Sequence, residues 1–138
     1  MKKGVEYTGV VTKVTFPNKG EVDCGEDGIA SVKGTLPGQK VKFVVSKKRS
    51  GKAQGRLKEI IEKSPFRVDR ICSDDLKDCG GCQIQELDYN KQLELKTNEV
   101  KQVISRIGKL ENVEIHETIG MQSPCRYRNK AQFPIQNI

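Results

Sequence analysis

Three cysteines lie close together near the middle of the chain, in the pattern Cys72, six residues, Cys79-Gly80-Gly81-Cys82. Two thiolates separated by two residues can bind one metal ion or adjacent corners of one cluster, and the two glycines leave room for the chain to fold around it. Cys72 can supply a third ligand from the opposite side. Because soft thiolate ligands select zinc or an iron–sulfur cluster, this spacing favours a metal centre.

Other interpretations of the cysteines stay open at this point. A Cys-x-x-Cys pair also fits a redox disulfide, but that role usually lies at the start of a helix after a βα unit, and here a loop precedes Cys79. Unliganded thiols are the third possibility. A closed site needs a fourth ligand, for which Cys125 and His116 are the later candidates. His116 is more typical of an ordinary surface or core histidine, and Cys24 and Cys125 of small apolar side chains.

A basic run between residues 40 and 58 contains eight cations and no carboxylate. On a small barrel this run places a hairpin loop and its flanking strands under one positive field, which favours phosphate backbones without reading base sequence. Tyr7 and Phe43 can offer stacking faces to bases, although strand aromatics are more often core residues. A solvated lysine face is the alternative. The cations are Lys40, Lys42, Lys47, Lys48, Arg49, Lys52, Arg56 and Lys58, of which the last six are the predicted polyanion contacts.

A second basic segment occupies residues 124–132. Arg126, Arg128 and Lys130 stand at alternate positions, so a strand would point all three to one side. Such a face can contact RNA or balance a neighbouring acidic surface. These three cations join the predicted contacts.

Charge and composition narrow the class of protein. The 138 residues have a net charge of +7, and residues 1–62 carry 13 basic and 7 acidic side chains against 12 and 11 in residues 63–138. A basic half joined to a balanced half suggests that the first half meets a polyanion, with solubility as the plain alternative. Aromatic residues make up 5% and Trp is absent. The core must therefore be modest, which excludes a large single-core enzyme enclosing cofactor and substrate together.

The sequence lacks signals for membrane insertion or export. No apolar run approaches the roughly 18 residues of a membrane span, and the first residues lack the apolar stretch of a signal peptide. We therefore expect a soluble, cytoplasmic protein, without a membrane partner. Clustered cysteines in a reducing compartment more often bind metal or do redox chemistry than form structural disulfides.

The elements that position these residues begin with a set of short strands. Val- and Thr-rich segments alternate with Gly-rich turns, which predicts a small closed five-stranded barrel of the OB type. Closure explains how so short a sheet avoids exposed edges. A loop over 47–52 separates the last two strands. The predicted strands are 5–16, 21–24, 28–32, 41–46 and 55–61.

The second half of the chain predicts mixed structure. Ser64-Pro65 marks a boundary, and apolar residues at helical spacing predict one long helix over 86–107, ended by Gly108. Strands are predicted over 113–118 and 127–135. The fold class is thus mainly β, then α+β. The domains are a barrel over 1–62, a cysteine-rich loop over 63–85, and an incomplete central domain of helix and strands over 86–138.

No catalytic machinery is visible in the chain. A Gly-rich loop with an acidic residue downstream is absent, so no nucleotide or S-adenosylmethionine site is indicated. No nucleophile with a paired base stands out. We assign no catalytic residue to this chain.

Taken in order, the motifs resemble a known family. A basic five-stranded domain, Cys72 with Cys79-Gly80-Gly81-Cys82-Gln83, a helix, and then Tyr127-Arg128-Asn129-Lys130-Ala131-Gln132 resemble the start of an RNA (uracil-5-)-methyltransferase. The similarity is greatest to the bacterial 23S ribosomal RNA branch, which carries an N-terminal TRAM domain and a four-iron–four-sulfur cluster. The TRAM domain is an OB-like barrel that binds RNA. The resemblance therefore implies that the polyanion is RNA, with ribosomal RNA as the expected substrate, and that the protein is a monomer.

The same resemblance implies which parts hold cofactors. Cys72, Cys79 and Cys82 would bind the cluster, with the fourth ligand outside the chain; the family usually has five residues between the first two cysteines, where this chain has six. S-adenosylmethionine, the catalytic Cys and the general base would belong to a missing C-terminal domain. The chain would then be an inactive N-terminal fragment. The alternative is a free-standing OB-like RNA-binding module with a zinc-stabilised cysteine loop, and a thiol–disulfide oxidoreductase is a third.

Overall fold

The structure is a computed structural model that describes residues 1–15, 18–49, 51–72, 81–130, 132 and 135. Within them, five strands precede one long helix. A short 3-10 turn, Gly25–Asp27, connects the second strand to the third. The strands are β1 (Glu6–Thr15), β2 (Lys19–Asp23), β3 (Ile29–Lys33), β4 (Lys40–Arg49) and β5 (Lys52–Glu62), and the helix is α1 (Tyr89–Arg106).

The five strands form a closed barrel in the order β1-β2-β3-β5-β4. Neighbours are antiparallel except β3 and β5, which pair in parallel through Ala30 with Ala53 and Val32 with Gly55. This parallel pair joins the β1–β2–β3 meander to the β4–β5 hairpin. The predicted five-stranded barrel is confirmed, and its closure leaves no free sheet edge to pair with another chain.

The barrel core consists of small and β-branched side chains around one aromatic ring. Phe43 is fully buried, and a Cβ at Gly55 would fall against its ring, so the glycine makes room for the phenylalanine. Tyr7 stacks on Phe43 with ring centroids 6.3 Å apart. The idea that Phe43 offers a stacking face to bases is therefore wrong. The core residues are Val11, Val14, Val22, Ala30, Val32, Val41, Phe43, Val45 and Ala53.

The β4–β5 hairpin is longer than the sequence predicts. The predicted loop over 47–52 is wrong, because the ladder continues through Lys47 opposite Gln54 to Arg49 opposite Lys52. A register shift between Val45 and Lys47 keeps the two strands hydrogen-bonded past the last core position of β4. The basic residues of this stretch therefore lie on paired strands.

The long helix is confirmed, with a later start than predicted. Asp88 accepts a hydrogen bond from the Lys91 backbone N–H through Oδ1 at 3.2 Å and so caps the helix, which begins at Tyr89. The Glu86 carbonyl and the Asp88 N–H instead bond to Val68 and Phe66. Those backbone groups are engaged by the preceding segment, so the helix cannot begin at residue 86.

The strands predicted over 113–118 and 127–135 are wrong for the described residues, which contain none after α1. The first segment instead lies along the helix. The Thr118 N–H donates to Thr97 Oγ1 at 2.9 Å, and the Met121 N–H donates to the Tyr89 hydroxyl at 2.9 Å. Helix side chains take the hydrogen bonds that a sheet partner would need. The division into domains at residues 62 and 85 stays a prediction.

Among the described residues, no helix has the length and apolar character that crossing a membrane requires.

Candidate functional site

A groove of about 500 Å³ crosses the outside of the barrel where β2 and β3 approach the β4–β5 hairpin. In the part of the chain that the structure describes, no carboxylate lines it. Four cations do line it, one from each of the four strands: Lys19, Lys33, Lys47 and Arg56. We call this set the basic groove. Glu21 lies beside the groove as the Cα partner of Ser31, and the four cations outnumber it. The excess of positive charge produces a field that attracts a polyanion.

Two of these lysines lie directly opposite each other. Lys19 begins β2 and Lys33 ends β3, and the two are Cα partners in the antiparallel register. Like charges at directly opposed positions destabilise a sheet. A bound phosphate between the two ammonium groups would remove that repulsion, so this pair is suited to binding an anion.

The uncharged lining indicates how the groove recognises a ligand. It consists of small and polar side chains with one leucine: Ser31, Ser46, Gln54, Gly55 and Leu57. No aromatic side chain is among the described lining residues, so none of them offers a face on which a base can stack. Its cations and hydroxyl groups suit the sugar–phosphate backbone.

The opposite end of the same hairpin is electrically different. Lys40 Nζ lies 3.0 Å from Glu62 Oε1, and Lys42 Nζ lies 3.4 Å from Glu59 Oε2. These glutamates follow the basic run in sequence, and strand pairing brings them back beside its first lysines. The interpretation of the run as one positive field is therefore wrong at this end.

The polyanion contacts predicted on the hairpin separate into cations that line the groove and cations that lie elsewhere. Lys47 and Arg56 line the groove, whereas Lys48 Nζ donates to the Met1 carbonyl at 3.4 Å, toward the N-terminus. Lys52 and Lys58 are exposed on β5, outside the groove lining. Arg49 ends β4.

Sequence reasoning missed Lys19 and Lys33, which are isolated cations outside the basic run. A signal was available, because an antiparallel hairpin turning between Asp23 and Ile29 pairs residue 19 with residue 33. What the pattern does not give is the parallel β3–β5 contact. That contact brings this lysine pair beside Lys47 and Arg56.

The cysteine loop is closed at its base by contacts between its two ends. Arg67 forms an isolated antiparallel bridge with Leu87. Arg67 Nη2 also lies 2.9 Å from Glu86 Oε1 in a partly buried ion pair, and the Val68 N–H donates to the Glu86 carbonyl at 2.9 Å. The ends of the segment that carries the cysteines are thus held side by side.

These contacts extend towards the cysteines. With the Gln85 amide oxygen facing Arg70, both Arg70 Nη2 and Nε donate to it at 3.2 Å. Cys72 follows Arg70 by two residues, and Cys82 precedes Gln85 by three. Both thiols are exposed. Cys79 lies outside the described residues, and in the part that is described no three His, Cys, Asp or Glu side chains form a metal site. The contacts at the loop base bring together the two arms that carry Cys72 and Cys82.

The second basic segment does not form the predicted strand face. Arg126 and Lys130 are exposed, and Arg126 has a left-handed φ of 54°. The Arg128 Nη2 group donates to the Gly81 carbonyl, with a distance of 3.4 Å. Arg128 therefore contacts the cysteine loop.

The remaining candidate side chains are those of Cys24, Cys125 and His116. Cys24 is half-buried against the barrel core, as predicted, and burial together with Asp27 and Asp23 raises the pKa of its thiol. Cys125, interpreted from sequence as an ordinary small apolar side chain, is exposed. His116 is a surface residue with Nδ1 3.9 Å from Glu114 Oε1.

Comparisons with known proteins place the chain beside RNA methyltransferases. It is 48% identical over 106 residues to an uncharacterized RNA methyltransferase of Clostridium acetobutylicum, covering 75% of the chain and 23% of that protein. It is 40% identical over 139 residues to one of Caldanaerobacter subterraneus subsp. tengcongensis, covering 100% of the chain and 30% of the relative. No protein-family model matches.

One solved structure gives a partial match. It is the Pyrococcus abyssi tRNA (uracil-54, C5)-methyltransferase in complex with S-adenosyl-L-homocysteine, with a TM-score of 0.44 and 24% identity over 71% of this chain and 21% of that one. The chain spans between 23% and 30% of the length of the curated relatives described above. Its predicted relationship to RNA methyltransferases is confirmed by the sequence identities.

Proposed function

We propose that this chain, a homologue of part of several bacterial RNA methyltransferases, is the RNA-binding and iron–sulfur portion of an RNA (uracil-5-)-methyltransferase. The enzyme would transfer the methyl group of S-adenosylmethionine to C5 of a uridine in ribosomal RNA. The motif order from the cysteine loop to Tyr127-Arg128-Asn129-Lys130 supports the uracil-5 and ribosomal assignments. No residue of this chain is proposed as catalytic, and we expect no methyl transfer by the chain alone.

The observation that carries the RNA-binding role is the basic groove. Its four cations come from four strands of one closed barrel, so their spacing is set by the sheet and does not depend on a mobile loop. Preorganised cations bind a phosphate backbone through release of counterions, a mechanism that is independent of base sequence. The barrel would then hold the RNA while the rest of the protein selects the uridine.

The RNA-binding role is tested by titrating the chain into a labelled single-stranded RNA and measuring fluorescence anisotropy. Replacing Lys47 and Arg56 by Ala should weaken binding about tenfold at moderate ionic strength, because two phosphate contacts are lost. The matched control replaces Lys101 and Lys109, two exposed lysines on and after α1. Equal loss of affinity in both double variants would contradict a role for the groove.

The cysteine loop is proposed to hold a four-iron–four-sulfur cluster through Cys72, Cys79 and Cys82. The exposed thiols of Cys72 and Cys82 and the closed loop base support a thiolate site, and thiolates are the usual ligands of such clusters. The cluster would have a structural role, fixing the loop beside the barrel.

Anaerobic purification followed by iron, sulfide and zinc analysis tests the cluster. Iron and sulfide in equal amounts, lost when Cys72 and Cys82 are both replaced by Ser, are expected. One zinc per chain, lost in the same variant, would instead support the alternative of an RNA-binding module with a zinc-stabilised loop. The Cys24→Ser variant is the control, because Cys24 packs against the barrel core.

The reaction is tested with the protein expressed from its complete reading frame. Incubation with ribosomal RNA and S-adenosylmethionine carrying a labelled methyl group should give labelled 5-methyluridine on nucleoside mass spectrometry. A different methylated nucleoside, or methylation of transfer RNA alone, would contradict the proposed uracil-5 or ribosomal assignment, respectively.

A further inference from the structure

Asn18 lies where the barrel meets the cysteine loop. Its Nδ2 donates to the Gln83 carbonyl at 2.9 Å, across 65 residues of sequence. Its backbone is left-handed, with φ of 50°, and its own carbonyl accepts a hydrogen bond from the Gly34 N–H at 3.2 Å. The turn that carries Asn18 is therefore fixed to the β3–β4 connection, and from there it reaches the residue next to Cys82.

Arg128 holds the other side of the same cysteine. Its guanidinium donates to the carbonyl of Gly81, the residue before Cys82. The carbonyl groups of the residues before and after Cys82 are thus each bonded to a side chain from a different part of the chain, one from the segment after α1 and one from the barrel. These two hydrogen bonds lie on either side of Cys82 and restrict the position of the backbone that carries it.

The second polar atom of the Asn18 side chain, Oδ1, gives a further reason to consider this contact. Asn18 Oδ1 is buried, and none of the described residues donates a hydrogen bond to it. A buried acceptor without a partner destabilises the fold, and proteins generally satisfy such atoms. Asn18 therefore occupies this position at a cost to stability, which supports a role for its contact with Gln83.

We propose that Asn18 and Arg128 are positioning residues that hold Cys82 for metal binding. This inference rests on the proposed function of the cysteine loop as a thiolate metal site. Binding a metal orders the ligand loop, and contacts that order it beforehand reduce the entropy lost on binding. Arg128, predicted from sequence as an RNA contact, would therefore serve the cysteine loop, and the barrel would support that loop through Asn18.

The test is an anaerobic titration of the reduced 138-residue chain with Co²⁺, followed by the thiolate-to-cobalt charge-transfer absorption. The variants Asn18→Ala and Arg128→Ala should each weaken Co²⁺ binding about threefold to tenfold, the loss expected from one hydrogen bond. Arg128→Lys keeps a donor and should recover part of the affinity. The controls Asn98→Ala and Arg126→Ala change exposed residues of the same types and should stay within about twofold.

Two further measurements distinguish the positioning of Cys82 from an RNA contact and from a general change in folding. Amide hydrogen exchange in peptides covering residues 81–88 should be faster in Asn18→Ala and Arg128→Ala than in the unmodified chain, while exchange in α1 is unchanged. RNA affinity of Arg128→Ala should equal that of the unmodified chain. If Asn18→Ala disturbs the barrel, as its melting temperature would show, Arg128→Ala carries the test alone.

The outcomes distinguish this inference from the proposed function. A thiolate–cobalt band with unchanged affinity in both variants would overturn the positioning role and leave the metal site intact. No band in the unmodified chain would overturn the metal site and this inference with it. Weaker RNA binding by Arg128→Ala with unchanged Co²⁺ binding would return Arg128 to its predicted role and also overturn the inference.

Discussion

The two ends of the β4–β5 hairpin carry similar cations in opposite settings. At one end Lys40 and Lys42 are paired with Glu62 and Glu59 across the strands. At the other end Lys47 and Arg56 line the basic groove, where none of the described lining residues is a carboxylate. A count of charges along the sequence treats both ends alike. The difference shows that the cross-strand partner, and not the local charge density, decides which cations are left without a carboxylate partner.

The two ends also differ in what they contribute to stability. Exposed lysine–glutamate pairs stabilise a fold by about 0–1 kcal/mol each. The opposed Lys19 and Lys33 on the groove side work in the other direction, because like charges repel. A sheet that only had to fold would gain from the first arrangement and lose from the second. This contrast supports the proposal that the unpaired end is the one that binds RNA.

The largest predicted effect comes from a core substitution that destabilises the barrel carrying both ends of the hairpin. Phe43→Ala should lower the free energy of unfolding by about 3–5 kcal/mol, because a fully buried ring is lost from a small core. Urea unfolding followed by circular dichroism measures it. Phe66→Ala is the matched control, since Phe66 is 38% exposed outside the barrel strands. Similar losses in the two variants would contradict a core centred on Phe43.

The next effect makes the groove resemble the paired end. Gln54 lines the groove and is the Cα partner of Lys47, so Gln54→Glu introduces a carboxylate among the four cations. RNA affinity should fall about tenfold through the added repulsion, with little change in melting temperature. Anisotropy titration and thermal melting check both parts. Gln102→Glu, on the exterior of α1, is the control and should leave RNA affinity near its original value.

A smaller effect makes the paired end resemble the groove. Replacing Glu59 and Glu62 together by Gln frees Lys40 and Lys42 from their partners. RNA affinity should rise a fewfold, and stability should change by less than about 1 kcal/mol per pair. Affinity that stays constant would show that this end is too far from the RNA to matter, and a fall would contradict the electrostatic account.

The smallest effect uses thiols as probes of local charge. Burial, Asp27 and Asp23 raise the pKa of the Cys24 thiol, so at pH 8 fewer Cys24 side chains are thiolates and alkylation is slow. Its rate should increase as the pH rises towards that higher pKa. A cysteine introduced by Ser31→Cys would line the groove, where cations favour the thiolate.

Peptide-resolved mass spectrometry after iodoacetamide treatment measures both rates. The thiol introduced at position 31 should react several times faster than Cys24, and high salt should reduce the difference. A slower reaction at position 31 would indicate that the groove lacks its positive field.

Sequence reasoning predicted the barrel and the helix because both depend on local signals. Val- and Thr-rich segments between glycine turns predict strands, and the apolar spacing before Gly108 predicts α1. The predicted strand over 113–118 failed because alternation alone does not supply a partner. Its Thr118 N–H bonds to Thr97 of the helix instead.

Sequence reasoning predicted only two of the four cations of the basic groove. Lys47 and Arg56 belong to a conspicuous basic run, but Lys19 and Lys33 join them only through barrel closure between β3 and β5. Register likewise determines which lysines meet Glu59 and Glu62. The contact of Asn18 with Gln83 spans 65 residues, and no local pattern marks it.

The salt dependence of RNA binding tests the central claim most directly. Two double variants remove the same charge from opposite ends: Lys19→Ala with Lys33→Ala in the groove, and Lys40→Ala with Lys42→Ala at the paired end. Each lost phosphate contact on a single strand lowers the slope of log K against log salt by about 0.7. The groove variant should lose about 1.4 from its slope, and the paired-end variant almost nothing. Equal slopes in the two variants would contradict the account.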